Sequence, residues 1–234
     1  MPTDKDIELL SFASAEREPL CPFQYPSFDA ISQPSLLGLQ PPSEEQKQRV
    51  EQIILETPNG PRPIDIAQSF IDRFYTAEPL VISQWPTPKA WNPLIVDFFK
   101  ATSDPANNDT IPWCAAFLNW CLRRAGRPTT NSSSSQSFAS TDLYSIKQSP
   151  IEGDIAVFTC YDKKNGNSMG LGHVTFFKER ISDDRFLAVG GNQSGTCQSM
   201  ICQEEFSHTF ESRRHVGGNY VAVTYKLNRF LRVA

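Results

Sequence analysis

The hydrophobic period of this chain changes once along its length, and that change fixes the fold class. Up to Gly126 and Pro128 the apolar residues recur at helical spacing; beyond the polar segment TTNSSSSQSFAS they fall in short β-branched and aromatic runs. Helices first and strands after imply an α+β domain in which helices cover one side of an antiparallel sheet. At 234 residues the chain can bury both halves in one compact unit with an N-terminal extension.

The helical half divides into segments. SEEQKQRVEQIILETP opens on Ser43, a capping residue followed by acids, and carries Val50, Ile53, Ile54 and Leu55 at helical spacing. PRPIDIAQSFIDRFYT supplies a broad apolar face from Ile64, Ile66, Ala67, Phe70, Ile71 and Phe74. WNPLIVDFFKAT predicts a third helix, capped by Asn92 with Pro93 at its first position. TTNSSSSQSFAS reads as a flexible loop in preference to one that touches substrate. GDIAVFTCY, GHVTFFKER, RFLAVGGNQ and YVAVTYKLNRF read as strands separated by the turn signals KKNGN and SDD. Residues 1–42, rich in Pro and Ser and without a sustained period, predict an extended or partly ordered arm, and residues 43–90 a helical extension ahead of the main domain at 91–234.

Charge and cysteine usage exclude several function classes. The net charge is −4 and no basic run is longer than RR, so nucleic acid is not an expected partner. No apolar run approaches the ~20 residues of a membrane-spanning helix. The N-terminus carries acidic residues where a signal peptide would carry a basic head, so the chain is expected to be made in the cytoplasm and exported, if at all, without a Sec signal. The six cysteines, Cys21, Cys114, Cys121, Cys160, Cys197 and Cys202, contain no CxxC pair, and the three histidines lack ligand spacing, so no metal site or other cofactor is expected. Cys197 and Cys202 read as free or buried thiols rather than a bridge.

The candidate chemistry lies in DTIPWCAAFLNWCLRRAG. Cys114 falls at the first turn of an amphipathic helix, where unpaired N–H groups and the helix dipole favour a thiolate and can also donate to an oxyanion. Cys121, on the inward stripe with Ala115, Phe117, Leu118 and Leu122, reads as core; on this segment alone, Cys114 too reads as a buried structural cysteine in preference to a nucleophile. A thiol nucleophile requires a base. His173, in GLGHVTFF, stands at the start of a predicted strand, whereas His208 and His215 lie in the polar stretch EEFSHTFESRRHVGG, read as surface or turn. The group that orients the imidazole is expected to be Asn192 in LAVGGNQSG, brought beside His173 if the two strands pair through the ERISDD turn; a plain turn role explains Asn192 equally. Asp154 reads as a turn acid leading into a strand.

Four blocks, IPWCAAFLNWCLRRAG, PIEGDIAVF, GHVTFF and VGGNQS, resemble in order those of the CHAP and NlpC/P60 papain-like amidohydrolases, particularly a CHAP-like subset with a P-W-C-A-A-F-x-N-W-C block, over about residues 92–193. The resemblance implies a papain-like fold with N-terminal helices packed on an antiparallel β-sheet and a catalytic domain at 91–234. It implies a peptidoglycan hydrolase, either a stem-peptide endopeptidase or an N-acetylmuramoyl-L-alanine amidase, with Cys114 as nucleophile, His173 as base and Asn192 as orienting residue. Many CHAP enzymes carry an acid two positions before that Asn, where this chain has Gly190. Beyond a peptidoglycan or peptide substrate, the expected partners are a specialised secretion or phage apparatus and an immunity protein, as for an antibacterial effector acting in a target periplasm or cell wall. Two alternatives stay open: the same three residues acting on a protein target as a hydrolase, deamidase or transferase, and a non-catalytic binding module with Cys114 in its core.

Overall fold

The computed structural model describes residues 41–85, 91–106, 108–194, 199–216 and 219–233. The arm expected over residues 1–42 falls, up to residue 40, outside the described residues, as do Cys21 and Cys197. Five α-helices precede a seven-stranded antiparallel sheet among the described residues, an α+β order that follows from the change of period.

Helix α1 (Glu44–Glu56) starts where Ser43 and Gln46 exchange hydrogen bonds, Gln46 N donating to Ser43 Oγ at 3.2 Å and Ser43 N to Gln46 Oε1 at 2.8 Å. Helix α2 (Pro63–Phe74) begins on Pro63 and buries Ile64, Ile66, Ala67, Phe70 and Phe74 along one stripe. A short 3-10 turn, Pro79–Ile82, leads to α3 (Pro93–Phe98), where Asn92 Oδ1 accepts from Leu94 N at 2.9 Å. The Asn92 amide also ties back to Val81 O and Ser83 O, and the buried carboxylate of Asp109 accepts from Trp85 N and Asn92 N at 2.8 and 2.9 Å. Helix α4 (Cys114–Arg124) is buried along nine consecutive residues, Cys114 to Leu122. Its aromatics meet those of α2 and α3: Phe98 lies 4.9 Å from Phe117 and 5.4 Å from Trp120, ring centre to ring centre, and Phe70 lies 5.8 Å from Trp120. Each such ring contributes roughly 1.5–3 kcal/mol by leaving water.

The serine-rich segment after α4 is fixed by hydrogen bonds, where its composition suggests a flexible loop. Asp104 accepts from Ser133 N at 2.7 Å and from the hydroxyls of Ser132 and Ser133, Asn119 bridges Thr130 and Ser132, and the segment ends in a single helical turn, α5 (Ser137–Ser140). Low complexity here reflects small hydroxyls that cap and link neighbouring backbone.

The strands are β1 (Ser145–Lys147), β2 (Ile155–Asp162), β3 (Ser168–Arg180), β4 (Arg185–Ser194), β5 (Ser199–Ser207), β6 (Thr209–Val216) and β7 (Asn219–Arg232), in the order β1-β7-β2-β3-β4-β5, with β6 also paired to β7. The polar stretch around His208, read from sequence as surface or turn, is the β5 and β6 pair; only His208 itself is the turn between them. Because β5 lies at one end of the sheet and β6 at the other, that one-residue link forces the sheet to curl round on itself. Its outer face, with Val157, Val174, Phe176 and Val189, packs on the helices. Its inner face is filled by aromatics, among them Phe158, Phe186, Phe206, Phe230 and Tyr225. Asp154, fully buried at the start of β2, accepts from Arg232 Nε at 2.7 Å and from Ile151 N at 2.9 Å, a structural clasp between the ends of the sheet region.

Helix and sheet approach most closely at Gly191, where a Cβ would collide with the Trp113 and Phe117 rings. Gly191→Ala must therefore push α4 off β4. The expected cost is about 1–3 kcal/mol, read as a lower urea midpoint with an unchanged m-value; an unchanged midpoint would show that the helix is not seated there.

Candidate active site

The site lies where the β3–β4 ladder stops. These strands pair from Arg180–Phe186 to Phe176–Val189 and no further. On β4 the chain bulges between Gly190 and Gln193, three residues spanning what β5 spans in two, with Asn192 at φ +56°. Asparagine tolerates this left-handed conformation better than most residues, and the extra residue swings Gln193 onto the face that Gly190 occupies. The first turn of α4 fits against the opened ladder.

Cys114 is the first residue of α4, as its spacing predicts, and is only 4% exposed. The preceding Trp113 offers no side-chain cap, so the N–H groups of Cys114 and Ala115 are free to act on the Cys114 sulfur. A third N–H, that of Val174 on β3, also reaches the sulfur. Its residue is the neighbour of His173, so the thiol sits against the backbone that carries the imidazole. Burial raises the thiol above its ordinary value, and the three N–H groups with the Arg214 charge oppose that rise without cancelling it. The helix terminus thus does not make Cys114 a resting thiolate, contrary to what its position suggests.

His173 lies within β3, five residues after the strand begins rather than at its start, opposite Phe158 of β2. It is 9% exposed, and its ring lies 5.5 Å from that of Phe206. Burial pushes the imidazole down to about 4; the Gln193 side chain works against this and the Arg214 charge adds to it. His173 Nε2 is buried and has no hydrogen-bond partner among the described residues.

Beside the expected orienting residue Asn192 stands Gln193, whose side chain tempers the lowering of the imidazole. Gln193 is buried and held on both sides: its Oε1 accepts from Thr175 Oγ1 at 2.6 Å and its Nε2 donates to Cys202 O at 2.8 Å. Gly190 makes room for it, since a Cβ there would collide with Gln193 Oε1 and Thr175 Oγ1. Asn192 lines the same cavity as His173, about 130 Å3 in volume, together with Gln193, Phe206, Arg214 and Tyr225. Carried past Phe176–Val189, the β3–β4 register would set Asn192 opposite His173, and the bulge brings Gln193 to the Gly190 face; the one sequence signal for the bulge is the run Gly-Gly-Asn, which suits an irregular strand. His208 lies in the β5–β6 turn, 6.1 Å from the Phe186 ring, and takes no part. Among the described residues no cluster of three or more His, Cys, Asp or Glu could hold a metal, and Cys114, Cys121, Cys160 and Cys202 are free thiols.

Two buried groups tilt the pH dependence of stability in opposite directions. His173 falls from 6.5 to about 4, so between those values the unfolded chain holds a proton the folded one lacks, and stability drops as the solution is acidified. Asp109, whose Oδ1 is buried without a partner, is raised by burial from 3.8 to about 6; here the folded chain holds the extra proton, and stability drops as pH rises through that window. Each effect is worth roughly 3 kcal/mol, so they nearly cancel between pH 4 and 6. Asp109→Asn is expected to expose the His173 slope, losing about 1.4 kcal/mol per pH unit on acidification, and His173→Gln to expose the reverse. Urea midpoints of the two variants across that window check this; slopes of the same sign would contradict it.

Comparison with curated proteins and with solved structures gives no match. Comparison with family models does: the matched stretch begins in the loop before α4, takes in Cys114 and His173, and stops on the β4 bulge. CHAP domains are typically cysteine- and histidine-dependent amidohydrolases, which points to a peptidoglycan-type substrate and a hydrolase or amidase-type activity. The model that matches is that of the CHAP domain, over residues 106–192, a finding consistent with the CHAP/NlpC-P60 superfamily.

Proposed function

We propose that the protein is a cysteine amidohydrolase that cleaves an amide bond of peptidoglycan, within the stem peptide or between that peptide and the glycan. Cys114 is the nucleophile, His173 the general base, and Gln193 takes the orienting role expected of Asn192. What carries the reading is the meeting, at the end of the β3–β4 ladder, of a sulfur on an uncapped helix N-terminus, the strand segment bearing His173, and a glutamine locked by Thr175 and Cys202.

The chemistry follows from burial. Both partners rest neutral at pH 7, the thiol raised and the imidazole lowered. Proton transfer from Cys114 to His173 therefore accompanies attack on the carbonyl carbon, and charge separates only as the C–S bond forms. The Cys114 and Ala115 N–H groups, already directed at the sulfur, lie where a tetrahedral oxyanion needs donors. Gln193 supports the imidazolium, which protonates the leaving amine; the neutral ring then activates water against the thioester and returns the proton to sulfur.

Mass spectrometry of muropeptides released from purified sacculi tests this. The wild-type protein is expected to release new fragments and Cys114→Ala none; cleavage by the variant at the native rate would remove the proposal. Gln193→Ala is expected to lower kcat roughly 10–100-fold with little change in KM, and Asn192→Ala to stay within about threefold. The reverse order would return the orienting role to Asn192.

A further inference from the structure

Arg214, on β6, faces the His173 cavity from the side opposite α4, and nothing in the proton transfer just described uses it. Its Nη1 donates to Tyr225 Oη at 2.7 Å, and the Tyr225 ring is pinned by Phe210, stacked 4.9 Å away and 3° from parallel. The phenol is neutral, held above its ordinary value by burial, so this contact positions the guanidinium without neutralising it. The charge reaches the reacting pair, favouring the Cys114 thiolate and disfavouring the His173 imidazolium. Glu204, a carboxylate on the same wall, acts on Cys202. A half-buried guanidinium held by Tyr225 at the wall of a cavity of about 130 Å3 matches a small planar anion. At roughly 30 Å3 for a water molecule, that space holds a carboxylate and a carbon or two.

We propose that Arg214, positioned by Tyr225, binds a free carboxylate of the substrate next to the scissile amide, so that the enzyme selects peptides bearing an acid at that position. This rests on the peptidoglycan reading above. It also couples binding to chemistry. Burial is the main cause of the weak basicity of His173, and a carboxylate on Arg214 offsets the charge that adds to it, so an acidic substrate raises the basicity of the imidazole as it binds.

Isothermal titration of the Cys114→Ala protein separates recognition from turnover. The probes are a stem peptide released from peptidoglycan and the same peptide with its carboxylates converted to primary amides. The acidic peptide is expected to bind roughly 10–100-fold more tightly than the amide, the worth of one charged hydrogen-bonded contact. In Cys114→Ala/Arg214→Gln the two are expected to bind alike, and Arg214→Lys to keep part of the preference. Equal affinities with Arg214 present, a preference that survives Arg214→Gln, or binding of neither peptide would overturn the proposal. Sacculus cleavage by the wild-type protein, lost in Cys114→Ala, reads the hydrolase assignment separately, so either can fail alone.

Discussion

Everything at the site depends on the interrupted ladder between β3 and β4. A continuous antiparallel pair would use the Val174 N–H for the sheet and leave no room for a helix end. Because the pairing stops at Phe176–Val189, that N–H is available to the Cys114 sulfur, and the helix terminus approaches until Trp113 and Phe117 press on Gly191. One irregularity thereby joins the two halves of an α+β chain. The aromatic contacts among α2, α3 and α4 hold the helix in place, and the curled sheet holds the strands.

The same closeness sets the electrostatics. Cys114 and His173 are both removed from water, and burial disfavours charge on each. Charge on either group is consequently disfavoured, and the N–H groups around the sulfur offset only part of that cost. Asp109 shows the same physics away from the site: its carboxylate organises Trp85 and Asn92 at the expense of an unpartnered oxygen and a raised affinity for protons.

The sequence announces some of this and hides the rest for identifiable reasons. Helices α1 to α4 are legible because the Ser43 and Asn92 caps, the leading Pro63 and Pro93 and the apolar stripes are local, and so is the placement of Cys114 at the start of α4. Strands β5 and β6 are not, because EEFSHTFESRRHVGG carries few apolar residues among exposed polar ones such as Glu205, Glu211 and Arg213, and these mask the period. The serine segment resists reading because its order comes from Asp104 and Asn119, distant in the chain. The turning of Gln193 onto the Gly190 face escapes because a bulge shifts parity by one, and no count along a single strand registers that. Arg214 and Tyr225 escape because only the curling of the sheet brings β6 and β7 opposite His173.

The central claim proposed here, that the Cys114 thiol and the His173 imidazole at the broken β-ladder both rest uncharged, is tested most directly by NMR titration of the His173 ring in the intact protein. The account predicts an imidazole that stays neutral from pH 7 down to about 4. A ring that titrates at or above the ordinary histidine value near 6.5, and loses that behaviour in Cys114→Ala, would mean a resting thiolate–imidazolium pair and contradict it.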